Sequence, residues 1–273
     1  MDRTFKTSSR ILITFILSLF LGNTHAQDDN QSKPGFLMGA LGDSITTAVN
    51  ANGVGIHKNF SWSTGKGTST RNFQSHYKKI EEKKRIEVKA YNMAKGGARS
   101  EDLPKQAIKL AKKKVDYATI LIGANNLCDW KTSNQQQLDQ FEKDVRTSIN
   151  TLLESNRNMK IFLAPVPDMY NLWWINRNNN KCTKMWDTFN ICSSILSSSL
   201  TKGQREEFKQ RWEDLNRTLE RISYDYMKNI KFDLGISYTR FQRKHVSTVD
   251  CFHPSLEGQE LISNKAWANG WFN

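Results

Sequence analysis

Two stretches far apart in the 273-residue chain carry the residue types that nucleophilic acyl transfer requires. One is Gly42-Asp43-Ser44-Ile45; the other is Asp250-Cys251-Phe252-His253-Pro254. A serine hydroxyl becomes a nucleophile when an imidazole takes its proton. The imidazole does this best when a carboxylate holds its tautomer and stabilises the imidazolium. Asp250, three residues ahead of His253, can reach that ring within one turn of chain. Each stretch also has an ordinary explanation, because Ser at a helix start usually caps it and a lone His is usually solvated or packed. His57, His76 and His245 lack an acid in a comparable loop and read that way.

Acyl transfer also needs donors aimed at the oxygen on which negative charge develops. Candidates occur in Asn92-Met93-Ala94-Lys95-Gly96-Gly97-Ala98 and in Gly123-Ala124-Asn125-Asn126. Glycine lets an oxygen approach a backbone amide, and an asparagine side chain donates without adding charge.

The elements that must position these residues follow from hydropathy. Phe36 to Leu41, Ile86 to Met93, Tyr117 to Ile122 and Ile161 to Ala164 read as strands. Helical spacing appears between Asp102 and Lys114 and between Leu138 and Ser155. Strands alternating with helices predict a parallel sheet covered on both faces, with ligands at the carboxyl ends of its strands. Ser44 then stands at such an end, expected at the start of a helix whose amides favour negative charge. Asp168 to Ser199 shows no period and reads as a long irregular, cross-linked loop. Thr201 with Gln204 reads as the capping box of a helix through about Met227, and a last helix is expected from Ser255.

Composition fits one globular domain: 38% of residues are hydrophobic and 25% charged. Basic residues at 3, 6 and 10, the apolar run Ile11 to Leu21 and the small residues near Ala26 predict a signal peptide over 1–26. That apolar run is too short to span a membrane. A polar leader is expected over 27–34 and a single domain over 35–273. Cys128, Cys182, Cys192 and Cys251 all lie in the mature part and suit two disulfides, with pairing open. The formal charge is +13; removing residues 1–26, with three basic and one acidic side chain, leaves +11. Such a field favours anionic surfaces, although the lysine runs also read as solvated helix faces.

Taken together, these blocks resemble the SGNH, or GDSL, hydrolases, and in their surrounding words the phospholipase B and acyloxyacyl hydrolase branch. The words are Ser61-Trp-Ser-Thr-Gly65, Asn92-x-Ala-x-x-Gly-Ala98, Gly123-Ala-Asn-Asn-Leu-Cys128 and Asp250-Cys-Phe-His-Pro-Ser255. The resemblance implies a three-layer α/β/α sandwich with a mainly parallel, flavodoxin-like sheet. It implies Ser44 as nucleophile, His253 as base and Asp250 as its orienting acid. The oxyanion donors would be the amides of Ser44 and Gly97 and the side chain of Asn125. The family pattern carries Asp where this chain has Asn126, so altered hydrogen bonding is expected in that loop. Trp62 is a candidate wall of the acyl site.

The implied reaction is ester hydrolysis through an acyl-enzyme, without metal or organic cofactor, on acyl esters of lipids. Carbohydrate O-deacetylation and a non-catalytic binding protein of the same fold are the alternatives. The expected partners are a small or lipid ester and an anionic membrane or lipopolysaccharide surface, not nucleic acid. Export by the signal peptide would place the protein in a periplasm or outside the cell.

Overall fold

The computed structural model describes residues 1–2, 35–130 and 135–273, so the signal peptide and leader expected over 1–34 lie outside all but the first two of the described residues. Pro34–Asn273 forms one compact unit. Its sheet has five strands: β1 (Phe36–Gly42), β2 (Val88–Asn92), β3 (Tyr117–Leu121), β4 (Lys160–Ala164) and β5 (Ile230–Phe232). They run parallel in the order β2-β1-β3-β4-β5.

Side chains alternate across this sheet and so build two cores. From β3 and β4, Ala118, Ile120, Ile161 and Leu163 join one apolar cluster. Tyr117, Leu121, Phe162 and Ala164 join the other. Helices α2 (Leu103–Ala111), α4 (Gln135–Ser155) and α8 (Lys202–Asp225) supply Leu110, Val145 and Leu219 to the first cluster. Helices α1 (His76–Lys84) and α9 (Leu256–Ala268) supply Ile80 and Ile262 to the second. Central strands buried on both faces are what a parallel sheet demands, and the architecture is the expected three-layer α/β/α sandwich.

Register decides where the loops meet. Gly42 pairs with Leu121, and Leu121 pairs with Ala164. Three chain segments therefore leave the sheet at one level: the one after β1 with Ser44, the one after β3 with Asn125, and the one after β4 with Asp168. Gly42 has φ +149°, and a Cβ there would fall 2.4 Å from the Leu121 carbonyl oxygen. Only glycine allows the chain to leave β1 so close to β3.

Several local expectations are corrected. Ser44 does not open a helix; it enters a run of turns closed by Thr47 N–H to Asp43 O (3.1 Å) and Val49 N–H to Ser44 O (3.0 Å). Residues Asp168 to Ser199 are not an irregular loop. They form three short helices, α5 (Met169–Asn176), α6 (Asn180–Thr188) and α7 (Ser193–Leu196). Asp168 and Asn179 cap the first two by accepting from Asn171 N–H and Lys181 N–H. The four cysteines form Cys128–Cys192 and Cys182–Cys251, tying α7 to α3 (Ala124–Asp129) and α6 to the loop before α9. Helix α8 does carry its capping box, with Thr201 N–H to Gln204 Oε1 at 2.8 Å. It ends at Asp225, two residues early. Helix α9 is capped by Ser255, as expected.

Candidate active site

The carboxylate of Asp250 is held from four directions. His253 Nδ1 lies 2.5 Å from its Oδ2, and Asn50 Nδ2 donates to the same oxygen at 2.6 Å. The N–H groups of Phe252 and His253 donate to Oδ1 at 2.9 and 3.0 Å. Cys251, between Asp250 and Phe252, has φ +54°. This left-handed residue turns both following amides onto one carboxylate oxygen, and the disulfide to Cys182 and a bond from Trp186 Nε1 to its carbonyl hold it there. Burial alone would raise the Asp250 pKa, but the bonds from His253 and Asn50 outweigh it and hold the acid below its ordinary value. An ionised Asp250 facing Nδ1 favours the tautomer with a proton there and a lone pair on Nε2.

Ser44 is 8% exposed, and its hydroxyl makes no hydrogen bond with the described residues, so capping does not occupy it. It shares with His253 and Asn125 the wall of a cleft of about 590 Å³. Asn125 Nδ2 donates to the Ala98 carbonyl at 2.9 Å, which fixes the amide and leaves its second N–H unspent. Gly97 precedes that carbonyl with φ +74° and open space where a Cβ would be. The Gly97 loop is also pinned to β1 by Lys95 N–H to Gly42 O at 3.1 Å. The N–H groups of Ser44 and Gly97 donate to no acceptor among the described residues. Ser44, Asn125 and His253 thus meet at one cleft; Asp250 sits behind His253, and Gly97 lies outside the cleft wall, one residue from the Asn125 contact.

The rest of the cleft is mainly apolar, with Val166, Met169, Leu172, Phe241, Val246 and Phe252. Trp62 is not among them. It is fully buried in the opposite core, where Nε1 donates to Thr46 Oγ1 at 3.2 Å. Two polar wall residues have no signature in the sequence, Asp168 and His245. Asp168 caps α5, and burial raises its pKa. His245 Nδ1 accepts from Gln242 N–H at 3.0 Å, and burial lowers its pKa, which favours the neutral ring. Asn50 was equally hidden, since it meets Asp250 across 200 residues of chain.

Asp43, beside the serine, is fully buried. Its Oδ1 accepts from Ile45 N–H at 2.9 Å, and its Oδ2 has no partner among the described residues. Burial pushes its pKa up to about 7, against a smaller pull downward from the Ile45 amide and His253.

The departure at Asn126 has a structural answer. Asn126 is buried, accepts from Ser100 N–H at 3.0 Å and donates to Ser100 Oγ at 3.2 Å. Ser100 Oγ in turn donates to Asp144 Oδ2 at 2.8 Å. The carboxylate of this network is supplied by Asp144 of α4.

The fold is shared with known proteins. Over 87% of the chain it superposes on the whole of the lipase Lip_vut3 from a goat rumen metagenome, with a TM-score of 0.56 and 18% identity. A family 3 carbohydrate esterase of Clostridium thermocellum shares the fold, with a TM-score of 0.52 and 13% identity over 86% of this chain and 94% of its own. In sequence, 86% of the chain is 23% identical to the mouse (Mus musculus) membrane-associated phospholipase B1, spanning 19% of that protein's length. The family model for GDSL-like lipases and acylhydrolases matches residues 38–266, and the chain belongs to that family of ester hydrolases.

Proposed function

We propose that the protein is an exported serine hydrolase that cleaves acyl esters of lipids through an acyl-enzyme on Ser44. His253, oriented by Asp250, takes the serine proton as the hydroxyl attacks the ester carbonyl. The oxyanion is met by the amides of Ser44 and Gly97 and the free N–H of Asn125. His253 then protonates the leaving alcohol, and water repeats the path on the acyl group. The observation that carries the lipid reading is the apolar wall beside Ser44, from Val166 to Phe252, which suits a hydrocarbon chain better than an acetyl group. Phe241 of that wall also lines a neighbouring groove with Trp174, Arg177 and Arg243. Trp174 is 50% exposed, and the Arg177 guanidinium lies 3.4 Å over its ring centre. An exposed aromatic with arginines beside the cleft suits an anionic lipid surface. Two disulfides favour an oxidising compartment outside the cytosol, and among the described residues no helix is long and apolar enough to cross a membrane.

The test is release of alcohol from p-nitrophenyl esters of increasing chain length, followed by fatty-acid release from phospholipid micelles. Octanoyl ester should exceed acetyl ester in kcat/KM by about tenfold or more, since each buried methylene contributes about 0.8 kcal/mol. Ser44→Ala should lose at least about a thousandfold. Preference for acetyl would move the assignment to deacetylation. Failure of the folded protein to react with a fluorophosphonate would remove the enzymatic reading altogether.

A further inference from the structure

Away from the Ser44 cleft, α8 buries a cation that the described residues leave unmet. Arg211 is 3% exposed, yet its guanidinium has no hydrogen bond or ion pair with the described residues, and Nε is sealed from solvent without an acceptor. The Phe208 ring, its centre 5.4 Å from the guanidinium carbon, offers a face but no lone pair. Arg205, on the same helix and 6% exposed, provides the contrast: its terminal nitrogens donate to the carbonyls of Leu200 and Ser197. In Arg211, Nε, sealed without an acceptor, carries the cost of a buried unsatisfied donor, and the terminal nitrogens are left with the cleft as their one outlet. Burial accordingly lowers the Arg211 pKa, with only Glu207 opposing the shift from a distance. Arginine cannot escape the cost by losing its proton at physiological pH.

Arg211 lines a cleft of about 950 Å³ whose wall includes Cys128, Ser193, Gln204 and Glu207. No residue of this cleft belongs to the Ser44 cleft. Ser194 of this wall already donates to the Leu127 carbonyl, but two neutral donors beside it are unspent. Among the described residues the Ser193 hydroxyl has no hydrogen-bond partner, and Gln204 uses only Oε1, toward Thr201, leaving its amide N–H groups unspent. Glu207 is the one acid in the wall and is exposed, without an ion pair to Arg211. A guanidinium beside an unspent hydroxyl and unspent amide N–H groups, with the single acid of the wall turned to solvent, makes an anion site.

We infer that this cleft binds an oxyanion of the phosphate or sulfate class on Arg211, with Ser193 and Gln204 as neutral donors. A tetrahedral oxyanion offers lone pairs in more directions than a planar carboxylate, as donors arriving from α7 and α8 require. The site abuts the helix that carries Asn125, since Cys128 of α3 lies in its wall and is bridged to Cys192 ahead of α7. Its existence does not depend on Ser44 being the nucleophile.

The test is thermal unfolding of the full chain at constant ionic strength in a buffer free of phosphate and sulfate, with inorganic phosphate, inorganic sulfate, glycerol 3-phosphate and acetate titrated separately. Phosphate or sulfate should raise the midpoint saturably, and acetate should not. A response to glycerol 3-phosphate that exceeds the response to phosphate would identify an ester as the preferred form; the reverse would identify the free ion. Arg211→Met should weaken the apparent affinity at least about tenfold while leaving the ligand-free midpoint equal or higher, because an apolar side chain suits that burial better than an unpaired cation. Glu207→Gln should tighten binding and provides the test should Arg211→Met fold poorly. The inference is overturned if both variants respond to phosphate as the parent does, or if Arg211→Met folds but loses several degrees without ligand, as a structural arginine would.

Discussion

Asp43 gives the sharpest test of how the serine turn is built. Its carboxyl is fully buried with Oδ2 unpartnered, and its pKa rises from 3.8 to about 7. The direction fixes the sign of the pH dependence. Below pH 4 the acid is protonated in both folded and unfolded chains and contributes nothing. Between pH 4 and pH 7 the unfolded chain releases the proton while the folded chain keeps it, so stability falls as pH rises; above pH 7 the loss is complete. Every tenfold change in proton affinity between the two states corresponds to about 1.4 kcal/mol, so the full effect is on the order of 4 kcal/mol. Asp43→Asn keeps the shape and the Ile45 bond, and it places an N–H where the protonated acid has its O–H. It should match the parent in urea unfolding at pH 4 and exceed it by up to about 4 kcal/mol at pH 8. Asp250, whose pKa is held low, loses its contribution as pH falls through the acid range in both proteins, and so cancels in the difference. A stability difference that is the same at both pH values would refute a burial penalty at Asp43.

Asn125→Ala should lower kcat about a hundredfold with little change in fold, measured on a p-nitrophenyl ester against circular dichroism. Asn50→Ala removes a 2.6 Å bond to the Asp250 carboxylate and should cut kcat/KM by about tenfold or more, since a hydrogen bond to an ionised group contributes about 1.5–3 kcal/mol; an unchanged pH–rate profile would deny Asn50 a positioning role. Replacing Cys182 and Cys251 by Ser opens a bridge spanning 69 residues and should cost about 4 kcal/mol in denaturant unfolding, with a loss of turnover as the Asp250 turn loosens. Asn126→Asp should destabilise by about 2 kcal/mol in urea unfolding, because Ser100 Oγ has a single proton to offer two carboxylates.

The sequence made the scaffold legible where information was local. Alternating and continuous apolar runs marked β1 through β4, and three of the four loops carrying the motif blocks leave strand ends whose succession along the chain could be read but whose order and register in the sheet could not. Asp250 and His253 were readable because three residues of separation is a local distance. Asn50 was not, since only the folded turn after β1 brings it to Asp250. Helix α5, Met-Tyr-Asn-Leu-Trp-Trp-Ile-Asn, hid for another reason: it is apolar nearly all round and only eight residues long, so it has no helical period to detect. Strand β5, with three residues, is below the length at which alternation means anything. Trp62 misled because its block neighbours the serine turn in the fold while the ring points into the opposite core.

Asn126 shows how a departure from a family pattern becomes readable only with its partner. An isolated Asp-to-Asn change suggests a lost charge. In the folded chain, Ser100 stands between position 126 and Asp144, accepting from one and donating to the other. That geometry tolerates one carboxylate, and Asp144, which also accepts from Gln140 at 2.7 Å, occupies the role. The amide at 126 is then the complementary choice: its N–H reaches Ser100 Oγ and its oxygen takes the Ser100 amide, so neither is left bare in a buried site. The network ties α3, which carries Asn125, to the segment just after Gly97 and to α4. The two oxyanion candidates outside the serine turn are thereby held on one hydrogen-bonded frame. Their spacing depends on that frame more than on the identity of the residue at 126.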